Sequence, residues 1–247
     1  MELNNNINTT AIGYLLNNNR LVKVIEILLV FLAAFVLIKI LSPFVKDNLV
    51  LKQAAFWFVN ILMLFLVWLG IKLRGQKWSH FGVTFRRTSL KESLRVFLLS
   101  LLVFILAVMG FILGSIIMAN ITGVPESSDI SNYKYLQDNI YMLLLTLCGV
   151  YVVSSFGEEV IYRAFLINRI IELGLDNKAG KIVSVIISAL IFGLVHYEWG
   201  VIGIVQTAFM GLVLGIFYLK LKKRLWILIL AHAYMDTILM IQMYLSG

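Results

Sequence analysis

The chain has 247 residues, 61% of them hydrophobic and 14% charged, with a mean hydropathy of +0.93. Soluble domains are about half apolar and about a quarter charged, so these values exclude an ordinary soluble enzyme and leave no room for a separate soluble domain. The net charge is +8, but the basic residues sit at the ends of apolar runs, where they set topology and meet anionic lipid. No basic segment elsewhere has the extent of a nucleic-acid footprint, so nucleic acid is not an expected partner.

Continuous apolar runs and only two prolines point to helices rather than a barrel, whose strands would alternate in short segments. The expected fold is all-α: a polytopic transmembrane helix bundle of about seven spans, six to eight. The lone Cys148 rules out an intrachain disulfide and a multi-cysteine metal site.

Residues 1–20 form an Asn-rich polar tail without the pattern of a cleavable signal. Residues 21–139 hold three spans. The first covers about Val22 to Leu41 and is ended by Ser42-Pro43. The second covers about Ala54 to Leu73. A basic loop follows, with Lys72, Arg74, Lys77, Arg86, Arg87, Lys91 and Arg95 against Glu92; this bias places the loop and the N-terminus in the cytoplasm. The third span, about Arg95 to Met118, carries Gly110 and Gly114 at the close-packing spacing. The loop Asn120 to Asn139 reads as exterior, with Glu126, Asp129 and Asp138 against Lys134.

Residues 140–247 hold four more spans: about Ile140 to Leu173, Ile182 to Tyr197, Val201 to Leu219 and Leu225 to Leu245. Gly211 and Gly215 repeat the glycine spacing. Lys220, Lys222, Lys223 and Arg224 form the densest positive patch.

The fourth span contains Ser155-Phe156-Gly157-Glu158-Glu159-Val160-Ile161-Tyr162-Arg163. A charged side chain at mid-bilayer costs about 2.5–3.5 kcal/mol on insertion scales, so three together require a reason. Glu159 and Arg163, four residues apart, share a helix face and can neutralise each other. Glu158 lies about 100° around the axis from Glu159 and is free to face a cavity. Phe192 and His196 share a face of the fifth span, and His232 and Asp236 a face of the seventh. Intramembrane ionisable groups turn to the bundle interior and seek one another.

A free carboxylate, two imidazoles and a second carboxylate suit water activation. Glu158 is the candidate general base, His196 shares the water's proton, and His232 donates to a developing oxyanion. Asp236 is protonated, orients His232 from behind, or binds a metal. No cofactor is required in this reading. Zinc remains open, with Glu158, His196, His232 and Asp236 as acceptable ligand types; His-Glu-x-x-His is absent.

In order, Glu158-Glu159-x-x-x-Arg163, Phe192-x-x-x-His196 and His232-x-x-x-Asp236 resemble the CPBP family, the intramembrane CAAX-processing protease and bacteriocin-processing proteins also called Abi. The resemblance covers about Ile140 to Leu245. It implies a membrane-embedded endopeptidase, a hydrolase of the cell membrane acting on a membrane-associated peptide or protein. Glu158 and His196 would activate water, while His232 and Asp236 would support the oxyanion. The family's enzymes were named metalloproteases, and a glutamate-type mechanism without metal is the competing view. Its substrates include prenylated CAAX proteins and leader or signal peptides, and some members act in bacteriocin immunity. A non-catalytic immunity protein or regulatory partner is therefore the alternative, with the same cluster locking the bundle. A transporter is disfavoured, because no discontinuous helix pair or repeat is seen.

Upright helices do not align these residues. Glu158 would lie ~27 Å from Ile140, His196 ~22 Å from Lys181, and His232 ~10 Å into the last span. Tilt, or displaced helix ends, must reconcile them. The site is expected in the cytoplasmic half, opening near Lys220 to Arg224.

Overall fold

The computed structural model describes residues 10–84, 88–123 and 131–246. Among them are eight helices and no strand: α1 (Ala11–Asn18), α2 (Arg20–Val45), α3 (Leu49–Leu73), α4 (Leu90–Thr122), α5 (Ile140–Ile171), α6 (Lys178–Leu194), α7 (Gly200–Lys220) and α8 (Leu225–Leu245). Arg86, Arg87, Glu126 and Asp129 of the expected loops lie outside the described residues, as does most of the polar tail.

Six helices are long and apolar enough to cross a membrane: α2, α3, α4, α5, α7 and α8. The 17 residues of α6 rise ~26 Å, the low end of what a crossing needs. The count thus falls within the expected six to eight.

Small polar residues start most of these helices. The side chains of Thr10, Asn19, Asn48, Ser89, Asn139 and Asn177 each accept a hydrogen bond from a backbone N–H in the first turn that follows, satisfying donors that the helix itself cannot. The Asn-rich tail therefore ends in a helix start at Asn19. Pro43 does not end its helix; α2 runs on to Val45. A proline so near the end removes one backbone bond in a turn already fraying.

Both glycine pairs are packing surfaces. A Cβ on Gly110 would meet the Phe209 backbone at 3.0 Å, and one on Gly114 would meet that of Gln206 at 2.9 Å, so α4 lies directly on α7. Gly211 and Gly215 give α7 the same closeness to α6, against Phe192 and Val185. At Gly82 the left-handed backbone, φ +82°, leaves space for the Lys223 carbonyl that a Cβ would strike.

The bundle has two unlike ends. At the basic end, Arg74 pairs with Glu26, Arg169 lies 3.4 Å from Glu26 and 2.7 Å from Glu172, and Lys23 lies 3.8 Å from Glu172. Arg74 also donates to the Leu16 carbonyl of α1 at 2.5 Å. At the opposite end, Lys52 of α3 pairs with Glu198, and the Asp138 N–H donates to the Tyr244 carbonyl at 3.3 Å.

Candidate active site

The middle of α5, Tyr151–Ile167, winds as a π-helix with i→i+5 bonds, a geometry often found at functional sites. More residues per turn mean less rise per residue, so Glu158 lies less deep than α-helical arithmetic gives. The stretch carries Ser155, Glu158, Glu159 and Arg163 among buried apolar neighbours.

Glu159 is fully buried. Its Oε1 accepts from His232 Nδ1 at 2.9 Å and lies 3.0 Å from Arg163 Nη1. It thus bridges the ion pair on its own helix to the histidine of α8. The Arg163 guanidinium lies 4.1 Å over the Phe192 ring, a cation–π contact strengthened by exclusion of solvent. Phe192 also stands edge-on to both imidazoles, at 4.8 Å from the His196 ring and 6.2 Å from that of His232.

His232 turns Nε2 to the other two carboxylates, 4.0 Å from Glu158 Oε2 and 3.8 Å from Asp236 Oδ1. Glu158 Oε2 is buried and has no hydrogen-bond partner within the protein. Asp236 Oδ2 accepts from Ser155 Oγ at 2.7 Å. Of the roles left open for Asp236, support of His232 from behind belongs instead to Glu159, which holds the Nδ1 side.

His196 follows α6 by two residues. Its Nδ1 is 2.7 Å from the Phe192 carbonyl. A carbonyl can only accept, so Nδ1 carries the hydrogen and, in the neutral ring, Nε2 offers a lone pair. The far face of the ring meets Trp199 at 5.0 Å. Trp199 neighbours Tyr133, which comes from the loop between α4 and α5 and lies within the electrostatic reach of Glu158 and Asp236. Burial raises the Tyr133 phenol above its ordinary pKa.

All seven residues expected from the sequence, Glu158, Glu159, Arg163, Phe192, His196, His232 and Asp236, belong to this connected cluster. Ser155, Trp199 and Tyr133 are additions. Ser155 was visible as a hydroxyl one helical turn before Glu158. Trp199 sat in a turn with no sign of its neighbour, and nothing in the sequence linked Tyr133 to residues far along the chain.

Among the described residues, no group of three or more His, Cys, Asp or Glu is placed to hold a metal ion. His232 Nε2 stands 4.0 Å from Glu158 Oε2 and 3.8 Å from Asp236 Oδ1, and the reaction proposed below uses these side chains without a metal.

Residues 140–238 match the family model for type II CAAX prenyl endopeptidases, Rce1-like. The match makes this part of the chain similar to the CPBP/CAAX proteases, as the order of its Glu-Glu, His and His-Asp motifs led one to expect. No curated protein and no solved structure matches the chain.

Proposed function

We propose that this protein is a multi-pass cell-membrane endopeptidase that hydrolyses a peptide bond of a membrane-associated peptide or protein, with Glu158 and His196 activating water. The observation that carries this reading is the Glu158 carboxylate, whose Oε2 is buried. Its Oε2 lacks a protein partner, while the His232 imidazole lies 4.0 Å from it and Asp236 lies 3.8 Å from the same imidazole nitrogen. A buried polar atom left unpaired costs about 1–3 kcal/mol, so it is retained where chemistry uses it.

Water bound at Glu158 gives a proton to the carboxylate, with His196 Nε2 accepting its other hydrogen bond. The resulting hydroxide adds to the scissile carbonyl carbon. Negative charge develops on the carbonyl oxygen, and His232 donates to it through Nε2. In the imidazolium both nitrogens donate, Nδ1 to Glu159 and Nε2 to the oxyanion. The proton on Glu158 then passes to the leaving nitrogen as the C–N bond breaks. Asp236, fixed by Ser155, faces Nε2 and keeps its hydrogen directed into the site. Glu159, Arg163 and Phe192 position the two rings.

The charge bias of the loops puts the N-terminus and the basic end in the cytoplasm. The test is a reconstituted one. Purified protein in liposomes is offered membrane-associated peptides, and new termini are read by mass spectrometry. Cleavage by the native protein and none by Glu158→Gln is expected. Cleavage that persists in Glu158→Gln would sink the proposal, and a native protein that cuts nothing while keeping its biological effect would return it to a non-catalytic partner.

A further inference from the structure

We infer that Tyr162 is a third partner of the water that Glu158 and His196 activate, its phenol donating a hydrogen bond to the water oxygen and so fixing the direction of the attacking lone pair. This rests on the endopeptidase reading and adds to it a side chain that the reaction as described leaves unused.

The first observation is the spacing. On the π-helical stretch of α5, residues four apart meet across one turn: Arg163 Nη1 lies 3.0 Å from Glu159 Oε1. Glu158 and Tyr162 have the same spacing one residue earlier, so carboxylate and phenol rise from neighbouring places on one face. The phenol lies within the electrostatic reach of Glu158.

The second is how the residue is held. Tyr162 is 3% exposed. Its ring stands edge-on to Phe192 at 5.1 Å and meets Phe31 of α2 at 6.0 Å. Phe192 also stands edge-on to His196, so one ring of α6 touches both Tyr162 and the second residue that activates water. The Ser188 hydroxyl of α6 donates to the Tyr162 backbone carbonyl at 2.7 Å. This bond ties the turn of α5 that follows Glu158 to the helix that ends just before His196.

The third is what the phenol lacks. Its ring contacts are apolar, and phenylalanine would make them equally well. Among the described residues, the hydroxyl has no hydrogen-bond partner, and a buried hydroxyl without one lowers stability. A water beside Glu158 supplies the partner. Such a water has two hydrogens and two lone pairs. Glu158 and His196 Nε2 take the hydrogens. One lone pair points at the scissile carbonyl carbon, and the other needs a donor. An ionised carboxylate only accepts, and His196 has its one hydrogen on Nδ1, turned to the Phe192 carbonyl. The Tyr162 O–H can donate. No proton leaves the phenol: its hydrogen bond follows the oxygen from water to hydroxide to the hydroxyl of the tetrahedral intermediate.

The test is Tyr162→Phe in the liposome cleavage assay, with Tyr162→Leu as the packing control. Tyr162→Phe should lower kcat by about tenfold, the upper worth of one hydrogen bond between neutral groups, with KM unchanged and the melting midpoint not lowered. Tyr162→Leu, which also loses the ring contacts, should melt earlier. In a His196→Ala background the Tyr162→Phe change should cost much less than it does alone, because both side chains act on one water. A lowered melting midpoint in Tyr162→Phe overturns the inference, since the hydroxyl would then be bonded within the protein. A loss that persists undiminished in the His196→Ala background overturns the shared water. Where the native protein cleaves and Tyr162→Phe cleaves equally well, the endopeptidase reading stands and this inference alone falls. A native protein that cuts nothing removes both.

Discussion

Two clusters of buried charge lie at different levels of this bundle, and they are built differently. At the basic end, Glu26, Arg74, Arg169, Glu172 and Lys23 join α2, α3 and the end of α5 in a network where each acid faces a base. In the site, three acids, Glu158, Glu159 and Asp236, crowd around His232, and one base, Arg163, pairs with Glu159 alone. A balanced network repays burial by holding segments together. An acid-rich cluster does that poorly, and its excess carboxylates are suited to accepting protons. The first cluster reads as architecture and the second as chemistry.

The contrast can be broken by mutation. The largest effect on rate is expected at Glu158→Gln, followed by His196→Ala, since a positioned proton acceptor contributes about 10²–10⁴-fold; the cleavage rate should fall by that order or more at Glu158→Gln while the melting midpoint stays in place. Glu159→Gln should damage both properties, because Glu159 bridges Arg163 and His232. Leaving one partner of a buried pair uncompensated costs about 3–5 kcal/mol, and denaturation in detergent together with turnover would show both losses. Arg169→Ala should lower stability by a similar amount, with cleavage per folded molecule nearly unchanged; a selective loss of cleavage there would erase the distinction. Ser155→Ala removes one hydrogen bond to a charged group, worth about 1.5–3 kcal/mol, and should lower the melting midpoint modestly while slowing cleavage per folded molecule by about tenfold. Smallest of all, a chelator should leave the purified activity where it was, because the proposed reaction uses Glu158 and His196 alone to activate water; loss of activity restored by added zinc would contradict that reading.

Much of this was readable in the sequence because membrane helices obey few rules. Charges in apolar runs must be paired or used, which singled out Glu158, Glu159, Arg163, His232 and Asp236. Glycines four apart mark close helix contacts, and both pairs, Gly110 with Gly114 and Gly211 with Gly215, proved to be such contacts. The last span, Leu225–Leu245, has the expected bounds.

What stayed hidden depends on how backbone departs from straight α-helices. The π-helical winding of Tyr151–Ile167 changes both depth and facing, and spacing rules built on 3.6 residues per turn do not foresee it. Tyr133 of the short turn Ser131–Leu136 neighbours Trp199, a contact between two segments that both looked like exposed loops. Glu159 was assigned a single partner because pairing on one helix is visible in sequence, whereas its bond to His232 on another is not.

The claim on which the account turns is that Glu158 and His196 act on one water molecule. A double-mutant cycle on cleavage rate tests it most directly, using Glu158→Gln, His196→Ala and the two combined. Residues that act as a unit are strongly non-additive. The account predicts that the double variant cuts no more slowly than the slower single variant. Losses that multiply in the double variant would mean that the two side chains work independently, and would contradict the shared water.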